Sequence, residues 1–473
     1  SARGANLLKH HPSISKGAPR HSIIVMRIVI AGAGEVGSHL ATLLTRDKHD
    51  IVLITENEQS FKTACPHEDL LKVHGAPTSI SFLREVGVEG CDLFVGVTPD
   101  ESRNMTSCML AKKLGAKKCV ARVDSIEYME ADNQEFFRKL GIDSMIYPEL
   151  LVANEINHLI SRPWARQWWE MQCGKLLLFA VVVREDCELI DRVISEISSP
   201  EDPFHITAIK RNGVTIIPHG ETSILLGDLV FVMTRPEHIQ FVRHIFDKEN
   251  IPEAKRVVYM GGSDITIHSV NTLPNDISTW VVERNPEKEK AVHSAITHTK
   301  NQVYRGDARD LSFLNDEGIR KADVFVAATK NTESNIIASL SAKRLLNFTK
   351  TIAMVEQSGY VELAEKVDVG SIINKKTFAA AHIYRMLLKA NVASIKSFTV
   401  ADADVLEYCV KPDSIFTRKA VKHLHLPSQA SIGGYVRGDK GYLANGNTIF
   451  QAGDVLLIFC LHSETRKLEK FLK

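Results

Sequence analysis

No apolar run in this 473-residue chain approaches the roughly 18 residues that a membrane-crossing helix needs. The longest, Leu176–Val183 and Val455–Leu461, fall far short, so any membrane role is expected to pass through a partner. Charge of one sign is lacking too. The 58 Lys and Arg residues against 57 Asp and Glu leave a net charge of +1. There is no overall basic field to suggest nucleic acid as a partner, and no acidic tail. The eight cysteines (65, 91, 108, 119, 173, 187, 409 and 460) contain no Cys-x-x-Cys pair, and the histidines show no metal-ligand spacing. That pattern speaks against a disulfide framework or zinc site and for reduced, mostly buried thiols in a cytoplasmic setting. Residues 1–25 lack hydrophobic periodicity and precede Met26. They are expected to be a disordered extension or remnant outside the fold.

What the chain does have is the same pattern twice. Cys91-Asp-Leu-Phe-Val-Gly-Val-Thr98 matches Ala322-Asp-Val-Phe-Val-Ala-Ala-Thr329 at an offset of 231 residues. The offset holds for Asn104 and Asn335, Ala111-Lys112 and Ala342-Lys343, Phe82-Leu83 and Phe313-Leu314, and Gly75 and Gly306. A period this long marks a duplicated domain and not a stacked array. Each copy opens with short apolar strands alternating with helices, which implies a parallel sheet covered on both faces. A helical stripe follows in each (Leu151, Val152, Ile156, Leu159 and Ile160 in the first; 379–388 in the second) and then β-rich segments. Arg211-Asn212-Gly213 reads as a hairpin turn. The expected fold is α/β: two Rossmann-like doubly wound parallel sheets, each followed by a small α+β C-lobe. The boundaries read as 26–148 (first Rossmann unit), 149–170 (crossover helix), 171–249 (first small lobe), 255–374 (second Rossmann unit), 375–396 (crossover helix) and 397–473 (second small lobe), with a linker near 248–255.

The chemistry sits at the first strand–helix turn, Gly32-Ala33-Gly34-Glu35-Val36-Gly37. Gly32 permits the tight turn, Gly34 lets backbone approach a phosphate, and Gly37 lets helix and strand pack closely. The helix start then offers unpaired N–H groups and a favourable dipole to an anion. Glu56, about 20 residues on, ends the second strand where a carboxylate can accept ribose hydroxyls. The second copy has Gly261-Gly262-Ser263-Asp264-Ile265-Thr266, where two glycines are lost and Thr266 is expected to crowd the helix; Glu283 keeps the carboxylate. Thr98 and Thr329 end the fourth strands, where a hydroxyl can reach a ligand or cap the next helix. Arg122 offers a cation to phosphate or to a neighbouring subunit; Met354 replaces it in the second copy. Trp164, Trp168 and Trp169, with Arg162 and Arg166, form either an interface anchor or the packing of the crossover.

Together these features resemble the duplicated TrkA-type regulators of potassium transport, with tandem regulator-of-conductance-of-K+ (RCK) domains. The carrying motifs are Ile28 to Gly37, Ile54-Thr-Glu56, His74-Gly-Ala76, Val97-Thr98 with Asn104, Val120-Ala-Arg122-Val, Tyr147-Pro-Glu149 and the Gly-Asp strands at Gly227 and Gly453. The resemblance spans 26–473. It implies a cytoplasmic protein on the inner face of the membrane that assembles as a homo-tetramer or dimer of dimers. Its partner would be an integral-membrane potassium-translocating subunit of the TrkH/TrkG type, gated through bound NAD(H) or ATP/ADP. By the same carry-over, Gly32, Gly34, Glu35, Val36 and Gly37 hold phosphate, Glu56 the ribose, and Gly75, Ala76, Thr98 and Arg122 line the site. Gly261, Gly262, Glu283, Asp307 and Thr329 form its second-copy counterpart. Many such proteins carry Gly-Asp where Gly75-Ala76 stands; here only Gly306-Asp307 keeps that pair. Two other readings fit the glycine loop: an NAD-dependent oxidoreductase, for which the small lobes offer no obvious catalytic residue, and a ligand sensor for another transporter.

Overall fold

The structure is a computed structural model and describes residues 26–46, 49–65, 69–197, 203–316, 319–388, 394–398 and 403–461, with 463–464, 467–468 and 471–472 at the C-terminal end. The extension expected at 1–25 lies outside the described residues. Strands β1 (Arg27–Ala31), β2 (Asp50–Thr55), β3 (Leu71–His74), β4 (Leu93–Gly96), β5 (Lys118–Arg122) and β6 (Ser144–Ile146) form an all-parallel sheet in the order β3-β2-β1-β4-β5-β6. Central strands of such a sheet are buried on both faces, which is why β1 and β4 read as unbroken apolar runs instead of alternating ones. Ile28 and Ile30 meet Leu40 and Leu44 on one face, and Val29 and Phe94 meet Cys108 and Ala111 on the other.

Strands β7 (Gln167–Met171), β8 (Leu176–Val182), β9 (Phe204–Arg211), β10 (Val214–Ile216) and β11 (Leu229–Thr234) form an antiparallel sheet ordered β10-β9-β11-β8-β7. The β9–β10 hairpin turns on Asn212 and Gly213, both at positive φ (51° and 82°), as a type I′ turn requires. The second parallel sheet repeats the first: β12 (Arg256–Met260), β13 (Ser278–Glu283), β14 (Asn301–Arg305), β15 (Val324–Ala327), β16 (Lys350–Met354) and β17 (Ser371–Ile373), ordered β14-β13-β12-β15-β16-β17. The last sheet, β18 (Ser394–Phe398), β19 (Ala403–Cys409), β20 (Ala430–Arg437), β21 (Lys440–Leu443) and β22 (Val455–Leu461), is ordered β18-β19-β22-β20-β21.

Both crossover segments differ from their expected extents. The first is helical over Pro148–Ser161, and residues 167–170, expected within it, belong to strand β7. The second is helical over Lys375–Leu388, and Ser394–Phe398 is strand β18. Extended backbone after Pro163 suits the bulky Trp168 and Trp169, which pack on opposite faces of the first small sheet.

The two helices exchange partners. The first crossover helix lays Val152, Ile156 and Ile160 on the second parallel sheet, against Val257, Tyr259 and Val270. The second lays Ala380, Ile383 and Tyr384 on the first unit, against Leu40, Leu43 and Leu44. At roughly 1.5–3 kcal/mol per buried large apolar side chain, these faces bind the halves together. Polar contacts fix the register: Asn157 Nδ2 donates to Thr272 Oγ1 (2.8 Å), Ser269 Oγ donates to Asn157 Oδ1 (2.6 Å), and Lys375 Nζ meets Glu149 Oε1 (2.9 Å). The small sheets also pack face to face, Leu178, Phe231 and Met233 against Val405, Leu457 and Phe459.

The two Gly-Asp strands gain a meaning the sequence did not show. Asp228 is buried and takes a two-pronged contact from Arg211 (Nε–Oδ1 2.8 Å, Nη2–Oδ2 2.7 Å); Asp454 takes the same from Arg437 (2.8 and 2.7 Å). Cys65, Cys91, Cys108, Cys119, Cys187 and Cys460 are buried, whereas Cys173 and Cys409 are exposed.

Candidate nucleotide sites

In the first unit the glycine turn lies between β1 and the helix Glu35–Arg46, at the switch point where β1 is flanked by β2 and β4. Gly32 has φ +123°, and a Cβ there would stand 2.8 Å from the backbone of Val97 and Thr98. A Cβ on Gly37 would stand 1.8 Å from the Gly32 carbonyl oxygen, so helix and strand touch through backbone. A Cβ on Gly34 would meet nothing within 4 Å. That glycine therefore faces open space, as a phosphate cradle requires. The Glu35 side chain is drawn to Lys376 (Oε2–Nζ 2.5 Å), and Val36 packs against the apolar cluster of the second crossover helix. These two residues thus offer backbone, not side chains, to an anion.

Glu56 follows β2 and forms an ion pair with Arg103 of the helix Glu101–Leu114. The pair crosses the mouth of the switch point and engages a cation that could otherwise face phosphate. Gly75 donates its N–H to the Thr55 carbonyl (3.0 Å), and its missing Cβ makes room for the Phe82 ring, 2.3 Å from where it would stand. Gly306 and Phe313 repeat this at 2.4 Å. Both glycines thus serve packing where the chain enters the site. Ala76 accepts from Ser79 N at the start of the next helix (3.1 Å).

Thr98 neither caps the next helix nor points freely at a ligand. Asp100 is the N-cap, and the Thr98 hydroxyl donates to Asn104 Oδ1 (2.7 Å). Asn104 is buried; its Oδ1 also accepts from Thr98 N (2.8 Å), and its Nδ2 donates to the carbonyls of Thr98 (2.9 Å) and Arg122 (3.0 Å). It ties the carboxyl ends of β4 and β5 together. Asn335 does the same for Thr329 and Met354. In the sequence Asn104 stands out as a repeat match and as part of the Val97-Thr98 motif, Asn335 only as its repeat partner; neither shows the clamp. Arg122 pairs within its own chain, with Asp124 (2.7 Å).

In the second unit a cavity of about 280 Å³ is lined by Gly261, Gly262, Ser263, Glu283, Asp307 and Thr329, with Arg284, Lys288 and Arg309 supplying cations. Gly262 N donates to Glu283 Oε2 (2.8 Å) and Asn285 N to Glu283 Oε1 (2.9 Å), so this carboxylate is folded onto the loop itself. Thr266 does not crowd the helix as expected. Its hydroxyl donates to the Gly261 carbonyl (2.7 Å), turning the close backbone approach of the first copy into a hydrogen bond. Arg309 holds Asp307 with both prongs (2.9 and 2.6 Å), which keeps that carboxyl below its usual range.

The tryptophans belong to the first small lobe. Trp168 stacks on Phe179 (5.5 Å, 13°), Trp164 meets both edge-on, and Arg162 lies 4.3 Å over Trp168. Their rings pack within the lobe, and Trp164 and Trp168, half-buried, also line a cavity with Arg162 and Arg243. Among the described residues no group of three or more His, Cys, Asp and Glu side chains could hold a metal, and no helix is long and apolar enough to cross a membrane.

Comparison with known proteins bears on the same elements. The TrkA-N domain matches residues 28–148 and 257–375, and the TrkA-C domain matches 178–247 and 405–473. A Trk system potassium uptake protein TrkA homolog of Archaeoglobus fulgidus is 31% identical over 95% of this chain and 100% of its own. The Trk system potassium uptake protein TrkA of Vibrio alginolyticus is 28% identical over 93% of this chain and 96% of its own. Among solved structures, the GsuK RCK domain superposes with a TM-score of 0.58 at 16% identity, covering 98% of both chains. The GsuK channel bound to NAD gives 0.57 at 16% identity, covering 98% of this chain and 81% of that one. With both domain types matched twice in tandem and a relative aligned over nearly its whole length, the chain belongs to the TrkA family of Trk-system potassium uptake proteins.

Proposed function

We propose that this protein is a peripheral regulatory subunit that gates an integral-membrane potassium-translocating partner of the TrkH/TrkG type in response to bound nucleotide, NAD(H) or ATP/ADP. The observation that carries the reading is the pair of glycine loops at the carboxyl ends of two parallel sheets, the first with an open Gly34 and the second with a cavity. The residues present fit a dinucleotide or adenine nucleotide. Gly32, Gly34 and Gly37 would hold its phosphates in the first unit, with Glu56 at the ribose. Gly261 and Gly262 would hold them in the second, with Arg284, Lys288 and Arg309 as cations and Glu283 and Asp307 as carboxylates.

The exchanged crossover helices provide a route from ligand to partner. Each glycine-loop helix is clasped by the crossover helix of the other half, so a shift at one loop moves the opposite half. A ligand biases such a pair only by its differential affinity for the two arrangements. Further copies of the chain, as a homo-tetramer or dimer of dimers beneath the membrane, would sum these shifts into a ring. Calorimetric titration with NAD, NADH, ATP and ADP in parallel tests the reading. At least one should bind, and Gly34→Val should abolish that binding at the first loop while Gly262→Val removes the second. Absence of binding by all four, or a strict monomer by light scattering, would overturn it.

A further inference from the structure

A second charged site lies at the amino ends of the strands of the second parallel sheet. A cavity of about 180 Å³ between the first small lobe and the second Rossmann unit is lined by five cationic residues, Arg166, Arg184, Lys248, Lys343 and Lys350, with Thr349 and Thr351 beside them; no carboxylate lines it. Behind the wall a single carboxylate, Asp368, is shared by three of the five: Arg166, Arg184 (2.8 Å) and Lys343 (2.6 Å). Lys350 is buried, and its ammonium donates only to the backbone carbonyl of Ala165 among the bonds described. Glu155 acts on it from the first crossover helix, and Asp247 and Asp186 act on Lys248.

The first unit shows what the same position looks like without this surplus. By strand register Lys118 corresponds to Lys350, each opening the strand beside the fourth of its sheet, and Lys118 is exposed. Lys112, the repeat partner of Lys343, pairs with Asp143 one to one (2.8 Å). Only in the second unit does a small lobe close over the lysine and add two arginines. Lys248 and Lys350 are buried, Arg166 and Lys343 half-buried, and Arg184 is exposed at the mouth. A buried ammonium with no carboxylate bonded to it is costly unless an anion joins it or it loses its proton. Burial, with Arg166 next, pulls the Lys343 ammonium down to about 8, and burial with Arg166 and Lys343 holds Lys350 well below the usual lysine range.

We propose that this cavity is a binding site for a small multivalent oxyanion of the phosphate type, held by Arg166, Arg184, Lys343 and Lys350. It is distinct from the nucleotide sites. Lys350 starts β16 and Gly370 precedes β17, so the cavity opens at the amino ends of the strands, whereas the glycine loop opens at their carboxyl ends. Its walls come from two lobes, joined there by Lys350 to Ala165 and by Ser371 Oγ donating to the Arg166 carbonyl (2.9 Å). A bound oxyanion would therefore fasten the first small lobe to the second Rossmann unit.

Titration of the full chain with inorganic phosphate, against sodium chloride at matched ionic strength, tests this by calorimetry and thermal melting. Phosphate should bind and raise the melting temperature where chloride does not. Arg184→Gln and Lys343→Gln should each weaken phosphate by about tenfold or more, the scale of one lost charge-assisted hydrogen bond. Lys118→Gln should leave it unchanged, and Gly34→Val and Gly262→Val should retain it, separating this cavity from the glycine loops. No phosphate effect beyond chloride would overturn the proposal, as would undiminished phosphate binding by well-folded Arg184→Gln and Lys343→Gln. Loss of phosphate binding in glycine-loop variants that keep the wild-type fold by circular dichroism would also overturn it, by placing the anion at the nucleotide sites. Gly34→Val, where a Cβ meets nothing within 4 Å, carries this arm even if Gly262→Val, 2.3 Å from Val292, does not fold.

Discussion

Replacing Asn104 by alanine removes one side chain that serves three backbone groups, leaving the Thr98 carbonyl only a long contact from Arg122 Nη1 (3.5 Å). The Thr98 N–H loses its acceptor at 2.8 Å, and the carbonyls of Thr98 and Arg122 lose a donor at 2.9 and 3.0 Å. A buried polar group left unpaired costs about 1–3 kcal/mol. Thr98 lies at a partly open strand end, so water recovers part of that cost, and a total near 3 kcal/mol is expected, large for a single substitution. The chain has several lobes, so one global unfolding energy is not well defined. Hydrogen exchange of the segment 93–98 reads the local cost instead. At 1.4 kcal/mol per factor of ten, exchange there should accelerate roughly 100-fold. Asn335→Ala should do the same over 324–329, leaving 93–98 unchanged. Asn104→Asp keeps an acceptor but sets a carboxylate against two carbonyls, so it should be at least as damaging as alanine. An acceleration below about fivefold, or rescue by aspartate, would refute the idea that the amide clamps the two strand ends.

Three further expectations rest on other contacts. Gly37→Ala places a methyl 1.8 Å from the Gly32 carbonyl; overpacking of this kind costs about 1–3 kcal/mol, and the melting temperature and any nucleotide-dependent stabilisation of the first unit should both fall. Arg211→Ala leaves Asp228 buried without its cation, a loss of about 3 kcal/mol that should appear as early unfolding of the first small lobe in urea, with Arg437→Ala acting likewise on the second. His205 sits against Ser431 between the two small lobes, and burial lowers its imidazole to about 4. The unfolded chain takes up this proton near pH 6.5 and the folded chain only near 4. Stability should therefore fall as pH drops from 6.5 toward 4, and His205→Gln should flatten that part of a urea-midpoint profile against pH.

Local pattern carried the repeat, the twelve parallel strands and the first glycine loop into view, because buried strands and tight turns are written in adjacent residues. Partnerships were harder to read. An apolar stripe such as Val152, Ile156 and Ile160 states that a helix face is buried but not which sheet buries it, so the exchange of crossover helices was invisible. Trp168 and Trp169 follow the first helix so closely that they read as its continuation. The side chains that shape the sites, Asn104 on Thr98, Arg103 on Glu56 and Glu283 on its own loop, act across gaps that only the folded chain closes. Thr266 shows the opposite error: a bulkier residue in a glycine position looked like damage until its hydroxyl was seen to bond the carbonyl in its way.

The exchange of crossover helices also sets a timetable for biosynthesis. The helix Glu35–Arg46 leaves the ribosome early, but the face bearing Leu40, Leu43 and Leu44 is covered by a helix that ends at Leu388. At about 5–20 residues per second, roughly 20–70 s separate the two. Through that interval the nascent first half carries a bare apolar flank whose natural cover has not yet been made, and any neighbouring nascent chain at the same stage offers an equivalent surface.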